Sequence, residues 1–238
     1  MSEVIDSRAE SLFSKIGIPG GLPPWPSVEK QRQYTGDHGL PLMKRTVRFL
    51  QALEHSGVFD EPDWKALDYG CGWGRIASVL LTKGSASQLD LCDAWPSTLA
   101  LIQAAGFANR TFPVSEKLQP GEIPASEYDF IYSYSVFTHL SRDAFETNLS
   151  LLARGLKPGG TLFLTVRHGD FMPRAKARAA DIEQLRREGF WFRPAGRSTT
   201  FGRTVVDRGY LERVSPRGLL EYAGKIDGAQ HLYLLRPA

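Results

Sequence analysis

The sequence predicts an α/β protein: a mostly parallel sheet with helices on both faces and an antiparallel hairpin at its C-terminal end. Three observations carry this expectation. Apolar, β-prone runs alternate with helix-compatible runs from about residue 66 to 166, the pattern of successive strand–helix–strand units. One strand-like run ends in an acid and three glycines at alternate positions, Ala66-Leu67-Asp68-Tyr69-Gly70-Cys71-Gly72-Trp73-Gly74-Arg75-Ile76-Ala77, and then turns helical. Near the C-terminus, two β-prone runs at 219–223 and 231–235 flank Asp227-Gly228, a hairpin signal whose loop reads as longer than two residues.

The elements follow in order. Leu12, Phe13 and Ile16 give a weak helical pattern, and Pro19-Gly20-Gly21-Leu22-Pro23-Pro24-Trp25-Pro26 can be neither helix nor central strand, so it reads as an extended arm. Trp25 is expected to be packed. Gln33-Tyr34-Thr35-Gly36-Asp37 reads as a loop leading into a helix, whose stripe is Leu40, Met43, Val47, Leu50 and Leu53 and whose end is Ser56-Gly57. Strand one ends at Asp68. Residues 87–93 read as strand two, Pro96 as the first turn of a helix, 111–114 as strand three and 128–133 as strand four. Ser141 is a candidate N-cap for a helix with Phe145, Leu149 and Leu152 on its apolar face, closed by Gly155. Lys157-Pro158-Gly159-Gly160 reads as a turn and 161–166 as strand five. Residues 175–188 read as a polar helix, and 189–214 has no clear pattern.

Bulk composition narrows the class. The chain has 238 residues, enough for one good-sized domain with an elaboration. Hydrophobic content of 42%, charged content of 23% and a net charge of +3 are ordinary, and do not by themselves call for a nucleic-acid partner. Cys71 and Cys92 show neither metal-ligand spacing nor a disulfide framework, so they read as apolar filler and no metal is expected. No run is long and apolar enough to span a bilayer and no signal peptide is visible, so the expected location is cytoplasmic, without a membrane partner. No pattern specifies an oligomeric state.

The glycine turn is the candidate binding element. Its backbone is free to take positive φ and to let a ligand approach, and the following helix turns its N–H groups and positive dipole end toward it, which suits an anion. A dinucleotide site would want G-x-G-x-x-G; this sequence has G-x-G-x-G followed by Arg75. A plain strand-to-helix turn is the structural alternative. Asp93, about twenty residues on at the tip of strand two, is placed to accept both ribose hydroxyls of a nucleoside. Its alternative is a helix N-terminal acid, and Asp90 is a rival inside the strand. Ala94 and Trp95 can pack on adenine, with Val114 and Ser115 at its edge. Asp68, an acid in an apolar run, should cap the turn or reach the ligand's amino group. Arg75 either pairs with an acid on the arm or is solvated.

Several segments resemble those of a known family. Asp68-Tyr69-Gly70-Cys71-Gly72-Trp73-Gly74-Arg75 resembles motif I of class I S-adenosylmethionine (SAM)-dependent methyltransferases. Ile131-Tyr132-Ser133-Tyr134-Ser135-Val136-Phe137-Thr138-His139-Leu140-Ser141 resembles the segment after strand four in bacterial members, many of them acting in small-molecule, sugar and cell-surface glycan pathways. Gly155-Leu156-Lys157-Pro158-Gly159-Gly160-Thr161-Leu162 resembles the run into strand five. The resemblance covers about residues 60–170 and is specific for fold and cofactor, weak for substrate. It implies a Rossmann-like class I methyltransferase fold, with a mostly parallel seven-stranded sheet, a C-terminal antiparallel hairpin and helices on both faces. The implied cofactor is S-adenosyl-L-methionine, held by Tyr34, Asp68, Gly70, Cys71, Gly72, Arg75, Asp93, Ala94, Trp95, Ser115 and Tyr134.

The implied reaction is in-line methyl transfer to a small-molecule or sugar acceptor, at oxygen in the first reading. Tyr34 and His139 resemble the tyrosine–histidine pair of phosphoethanolamine N-methyltransferases, which implies a lid tyrosine and a general-base histidine. A packed histidine is the alternative, and His168, just past strand five, is a second candidate. Residues 1–37 then form an arm and lid, and 38–238 the SAM-binding domain, with an acceptor-binding elaboration around 170–215. There Arg174, Arg178, Arg186, Arg187, Arg193, Arg197, Arg203, Arg208 and Arg213 lie among Phe190, Trp191, Phe192 and Phe201. They suit an anionic acceptor or RNA, against a solvated surface as the first reading. The rival functions are an RNA or protein methyltransferase, an amine N-methyltransferase, and a non-catalytic SAM-binding partner subunit.

Overall fold

The computed structural model describes residues 2–238, which divide into two compact units, the first running to Pro113 and the second from Val114 to Ala238. In the first unit, α1 (Ser2–Phe13) lies against α3 (Gly39–His55), with α2 (Val28–Thr35) between them in sequence. The predicted stripe of α3 is real: Met43, Val47, Leu50 and Leu53 are fully buried. Arg8 grips Glu54 with both terminal nitrogens at 2.7 Å, and Lys83 reaches the same carboxylate.

Residues 33–35, expected in a loop, belong to α2, so Tyr34 sits in its last turn. Ser27 accepts a hydrogen bond from the Lys30 N–H as N-cap, and Gly36 closes the helix in the left-handed region at φ 75°. The stretch 19–26 is neither helix nor central strand, as expected, but its first part turns: the Leu22 N–H donates to the Lys15 carbonyl at 2.8 Å, and only 23–27 run on without regular structure. Trp25 fastens the arm edge-on to Trp73, with ring centroids 5.0 Å apart, and its indole N–H donates to Ser78 Oγ at 3.2 Å.

The unit continues with β1 (Ala66–Tyr69), α4 (Arg75–Leu80), β2 (Leu89–Asp93), α5 (Pro96–Ala104) and β3 (Thr111–Pro113), and the strands pair in parallel. Every residue of β1 and β2 is buried, as in sheets covered on both faces. Strand two starts two residues later than expected because Ala86–Gln88 closes into a 3-10 turn. Asp90, fully buried within β2, pairs with Lys65 and Arg110, which makes it a structural ion pair.

The second unit contains β4 (Tyr128–Ser133), α6 (Arg142–Gly155), β5 (Leu156–Val166), α7 (Ala179–Glu188), β6 (Phe190–Pro194), β7 (Gly202–Val206), α8 (Arg208–Val214), β8 (Gly218–Asp227) and β9 (Gln230–Pro237). Strands β4 and β5 are parallel, and β9 and β8 follow antiparallel. The first unit supplies the order β3-β2-β1 and the second β4-β5-β9-β8 to one mostly parallel seven-stranded sheet with helices on both faces. This is the predicted fold class. A separate ribbon, β6–β7, stands apart from that sheet.

Three local expectations are corrected. The turn expected at 157–160 lies inside β5, where a register shift opposite Tyr128 and Phe130 and Gly159 at φ 79° absorb it. The helix expected from 175 begins at Ala179, because Asp181 accepts the Arg178 N–H at 2.8 Å and sets the start there. The hairpin loop is only Gly228-Ala229, since pairing runs out to Asp227 and Gln230. The unassigned stretch 189–214 forms β6, β7 and α8. Asp181 organises it, taking the Trp191 indole N–H at 3.1 Å and Arg193 at 2.9 Å.

The Arg8 and Lys83 partners hold the Glu54 carboxyl down at about 2, below its ordinary 4.5. A carboxyl depressed in the folded state contributes stability above its unfolded value and loses it as pH falls through the folded one. Protection factors of the α1 amides, exchange rates corrected for intrinsic pH dependence, are therefore expected to fall between pH 4.5 and about 2, and Glu54→Gln to remove that fall. An unchanged profile in Glu54→Gln would contradict the assignment.

Candidate functional site

In the first unit the glycine turn is built around β2. The Gly70 and Cys71 N–H groups both donate to the Cys92 carbonyl, at 2.9 and 3.0 Å. Gly74 takes φ 83°, and a side chain there would lie 2.6 Å from Phe107 and 2.7 Å from Ile102, so this glycine serves packing. Gly72, at φ 55°, differs: a methyl added there would meet nothing within 4 Å. Its backbone faces open space, as a close ligand approach requires.

Asp93 ties the turn to the tip of β2. Its Oδ2 accepts the Gly72 N–H at 3.0 Å, and its Oδ1 accepts the N–H of Trp95, the N-cap residue of α5, at 2.9 Å. The carboxylate thus sits at the tip of β2 just ahead of α5, the place that both the helix N-terminal reading and the ribose reading give it. Burial raises its pKa, against the opposing N–H bonds of Trp95, Gly72 and Ala94. Trp95 is 39% exposed at the N-cap of α5, next to the half-buried Ala94. Tyr34 reaches the same helix, with its hydroxyl 3.4 Å from Thr98 Oγ1. The structure therefore brings Gly72, Asp93, Trp95 and Tyr34 around one strand tip and the first turn of α5.

The remaining predicted residues of this unit stand deeper. Asp68 is buried at the end of β1. Burial first, and then the charge of Asp68, push the Cys71 and Cys92 thiols well up, so both stay protonated. Arg75 is 8% exposed and donates to Thr46 Oγ1 on α3 at 2.7 Å, so the solvated reading of Arg75 is corrected. Its place at the start of α4, beneath the turn, aims it at the buried helix α3.

In the second unit the loops after β4 and β5 are stitched together by β7. Gly202 N–H donates to the His139 carbonyl at 2.7 Å, Thr204 N–H to the Thr138 carbonyl at 2.9 Å, and Val206 N–H to the Arg167 carbonyl at 2.9 Å. Ser115 gives its N–H and hydroxyl to Glu122 Oε1, at 3.0 and 2.7 Å. Tyr134 donates to Asp227 Oδ2 at 3.3 Å. Ser135 follows at φ 65°, unusual for a residue with a side chain, and Thr165 and Gln230 hold it there through hydrogen bonds of 2.7 and 2.9 Å.

His139 stacks on Phe201, with ring centroids 5.0 Å apart and planes 9° from parallel. Its Nδ1 lies 2.7 Å from the Gly202 carbonyl, so Nδ1 carries the proton and Nε2 offers a lone pair to the Arg167 guanidinium at 3.5 Å. Burial, then the Arg167 charge, push its pKa down to about 4. His168 has both ring nitrogens engaged, Nδ1 with the Val206 carbonyl at 2.6 Å and Nε2 with the Tyr233 hydroxyl at 2.9 Å. It lines a 380 Å³ cavity together with Asp207, Arg208, Tyr222, His231 and Tyr233. Arg167, beside both histidines, escaped the sequence reading; its one signal there was a charge directly after the apolar run of strand five.

Residues 66–160 match the family model described as a methyltransferase domain, a span running from β1 into β5. No curated protein matches the chain significantly. Among solved structures, a SAM-dependent methyltransferase from Clostridium acetobutylicum superposes with a TM-score of 0.62 at 11% identity, covering 88% of this chain and 96% of that one. A SAM-dependent methyltransferase from Leishmania major gives 0.58 at 14% identity, covering 97% and 82%. One from Methanosarcina mazei gives 0.56 at 17% identity, covering 77% and 94%. At these identities the likeness is one of fold.

A buried imidazole depressed below its ordinary value opposes protonation in the folded state, so its contribution to stability is full above pH 6.5 and is lost as pH falls toward 4. The ring-proton resonance of His139 is expected to titrate with a midpoint near 4. A midpoint near 6.5 would show the ring to be solvated and the Arg167 contact absent.

Proposed function

We propose that this chain is a SAM-dependent methyltransferase acting on a small-molecule or sugar acceptor. The observation that carries the reading is the Asp93 carboxylate bonded to the Gly72 N–H: it fixes an acid at the tip of β2 beside a glycine whose outer face is open. The match of residues 66–160 to a methyltransferase domain supports it. The residues fit the cofactor. Asp93 retains lone pairs for ribose hydroxyls, the exposed face of Trp95 suits adenine, and the turn's backbone suits the amino-acid end. Tyr34, anchored near Thr98 on α5, covers the nucleoside in this reading.

When bound, the cofactor supplies an electrophilic methyl carbon. The chain's own work is to hold an acceptor oxygen in line with it, which is a positioning effect. We assign His139 to building the acceptor side and not to proton removal, because its Nδ1–H is spent on Gly202 and its Nε2 faces a guanidinium. A proton leaving toward Nε2 would meet a positive charge. The acceptor is read as small because five of the nine tail arginines are committed to carboxylates. Arg178 and Arg193 share Asp181, Arg186 lies by Glu183, Arg187 holds Glu188 and Arg208 holds Glu212. That reduces the positive charge this stretch could offer to an RNA backbone.

Two outcomes follow. Asp93→Ala is expected to bind S-adenosylhomocysteine at least about tenfold more weakly in calorimetry, the scale of one lost charged hydrogen bond. The same variant should keep a cooperative unfolding transition. Undiminished affinity would remove Asp93 from the site. With methyl-labelled SAM and a fractionated extract, the wild type is expected to label a small product. His139→Ala should retain that labelling within about tenfold, whereas loss of a general base costs about 10²-fold or more.

A further inference from the structure

Arg167 is the first residue beyond β5, and no described carboxylate pairs with it. Its guanidinium is half-buried and held on three sides. Nη1 donates to the Thr138 carbonyl at 3.0 Å, Nη2 faces His139 Nε2 at 3.5 Å, and the plane lies over the Phe171 ring, 4.2 Å from its centroid. A second cation, Arg203, follows the Gly202 whose carbonyl receives the His139 ring N–H. Arg203 likewise has no described carboxylate. This sets the pair apart from Arg178, Arg193 and Arg208, each held by an acid.

Withdrawing a guanidinium from water without a counter-charge is costly, and a neighbouring cation raises the cost. The strain is visible: burial, then the Arg203 charge, push Arg167 down to about 10. His139, kept neutral, adds no third charge and directs a lone pair at the guanidinium. Thr138 and Phe171 fix the orientation of the fork and leave donors unspent. The location is the carboxyl edge of the parallel pair β4–β5, where open α/β sheets take their ligands. A planar, oriented and uncompensated guanidinium is the group that recognises oxyanions by paired hydrogen bonds.

We propose that Arg167, assisted by Arg203, forms an oxyanion subsite that holds a carboxylate or phosphate group of the methyl acceptor. The oxyanion site rests on its own geometry; its service to an acceptor rests on the methyltransferase reading. The substrate class thereby narrows to anionic small molecules. A purely structural Arg167, pinning Thr138 and Phe171, is the competing account.

The test uses the full chain at constant ionic strength, with chloride as the balancing anion. Inorganic phosphate and acetate are titrated separately while the His139 ring protons and the Arg167 Nε–H are followed by NMR. A saturable shift at both groups is expected with at least one anion, and the stronger arm tells phosphate from carboxylate. Arg167→Gln should weaken that affinity at least about tenfold, with no loss of thermal stability, since it removes an uncompensated charge. Arg203→Gln, on the exposed side of β7, should weaken it by a smaller factor and carries the test should Arg167→Gln fail to fold. No saturable response beyond chloride, or an equal response in the wild type and Arg203→Gln together with a destabilised Arg167→Gln, overturns the proposal. Calorimetry with S-adenosylhomocysteine on the same samples separates the two readings. Nucleoside binding without an anion response sinks the subsite alone, and an anion response without nucleoside binding sinks its service to a methyl acceptor.

Discussion

The glycine turn of the first unit is held to the tip of β2 by a hydrogen bond from the Gly72 N–H to the Asp93 carboxylate. A turn of three glycines has little intrinsic preference for one shape and loses much entropy on ordering. Three contacts to the end of β2 impose the shape: Gly70 and Cys71 on the Cys92 carbonyl, and Gly72 on Asp93. Because Asp93 also accepts the N–H of Trp95, the N-cap residue of α5, one carboxylate ties the turn, the strand tip and the helix start together. The outer face of Gly72 stays open, since a methyl added there would meet nothing within 4 Å, whereas one at Gly74 would strike Phe107 and Ile102.

The second unit solves a different problem. Its loops after β4 and β5 carry polar backbone that must be satisfied, and the β7 strand supplies the partners for Thr138, His139 and Arg167. That stitching determines the chemistry of the side chains. His139 is turned so that its protonated nitrogen meets Gly202, and Phe201 covers its face. Burial, then the positive charge of Arg167 and to a smaller degree that of Arg203, keep it neutral. A histidine that reads as a base in isolation becomes part of the wall beside a guanidinium.

Much of the architecture was legible because its signals are local. The α3 stripe, Pro96 at a helix start, Ser141 before α6 and the alternating runs from β1 to β5 are all encoded within a few residues of where they act. The glycine turn and Asp93 belong to the same class, since their spacing in sequence is their spacing around one strand–helix–strand unit. What stayed illegible is held by distant partners. The β6–β7 ribbon depends on Asp181 gripping Trp191 and Arg193, and on β7 bonding residues some sixty positions earlier. Tyr34 was assigned to a loop because the caps at Ser27 and Gly36 bracket a short polar helix with almost no apolar period. The state of His139 is set first by burial and then by Arg167 and Arg203, which come from two other segments, so no inspection of its neighbours in sequence would reveal it.

The central claim is that a sulfonium nucleoside is bound where Asp93 braces the glycine turn. A crystal structure of the protein grown with S-adenosylhomocysteine tests it most directly. The account predicts both ribose hydroxyls at about 3 Å from the Asp93 carboxylate, the amino-acid end over Gly72 and the adenine against Trp95. Nucleoside density elsewhere on the molecule, or an Asp93 carboxylate that makes no contact with the sugar, would contradict it.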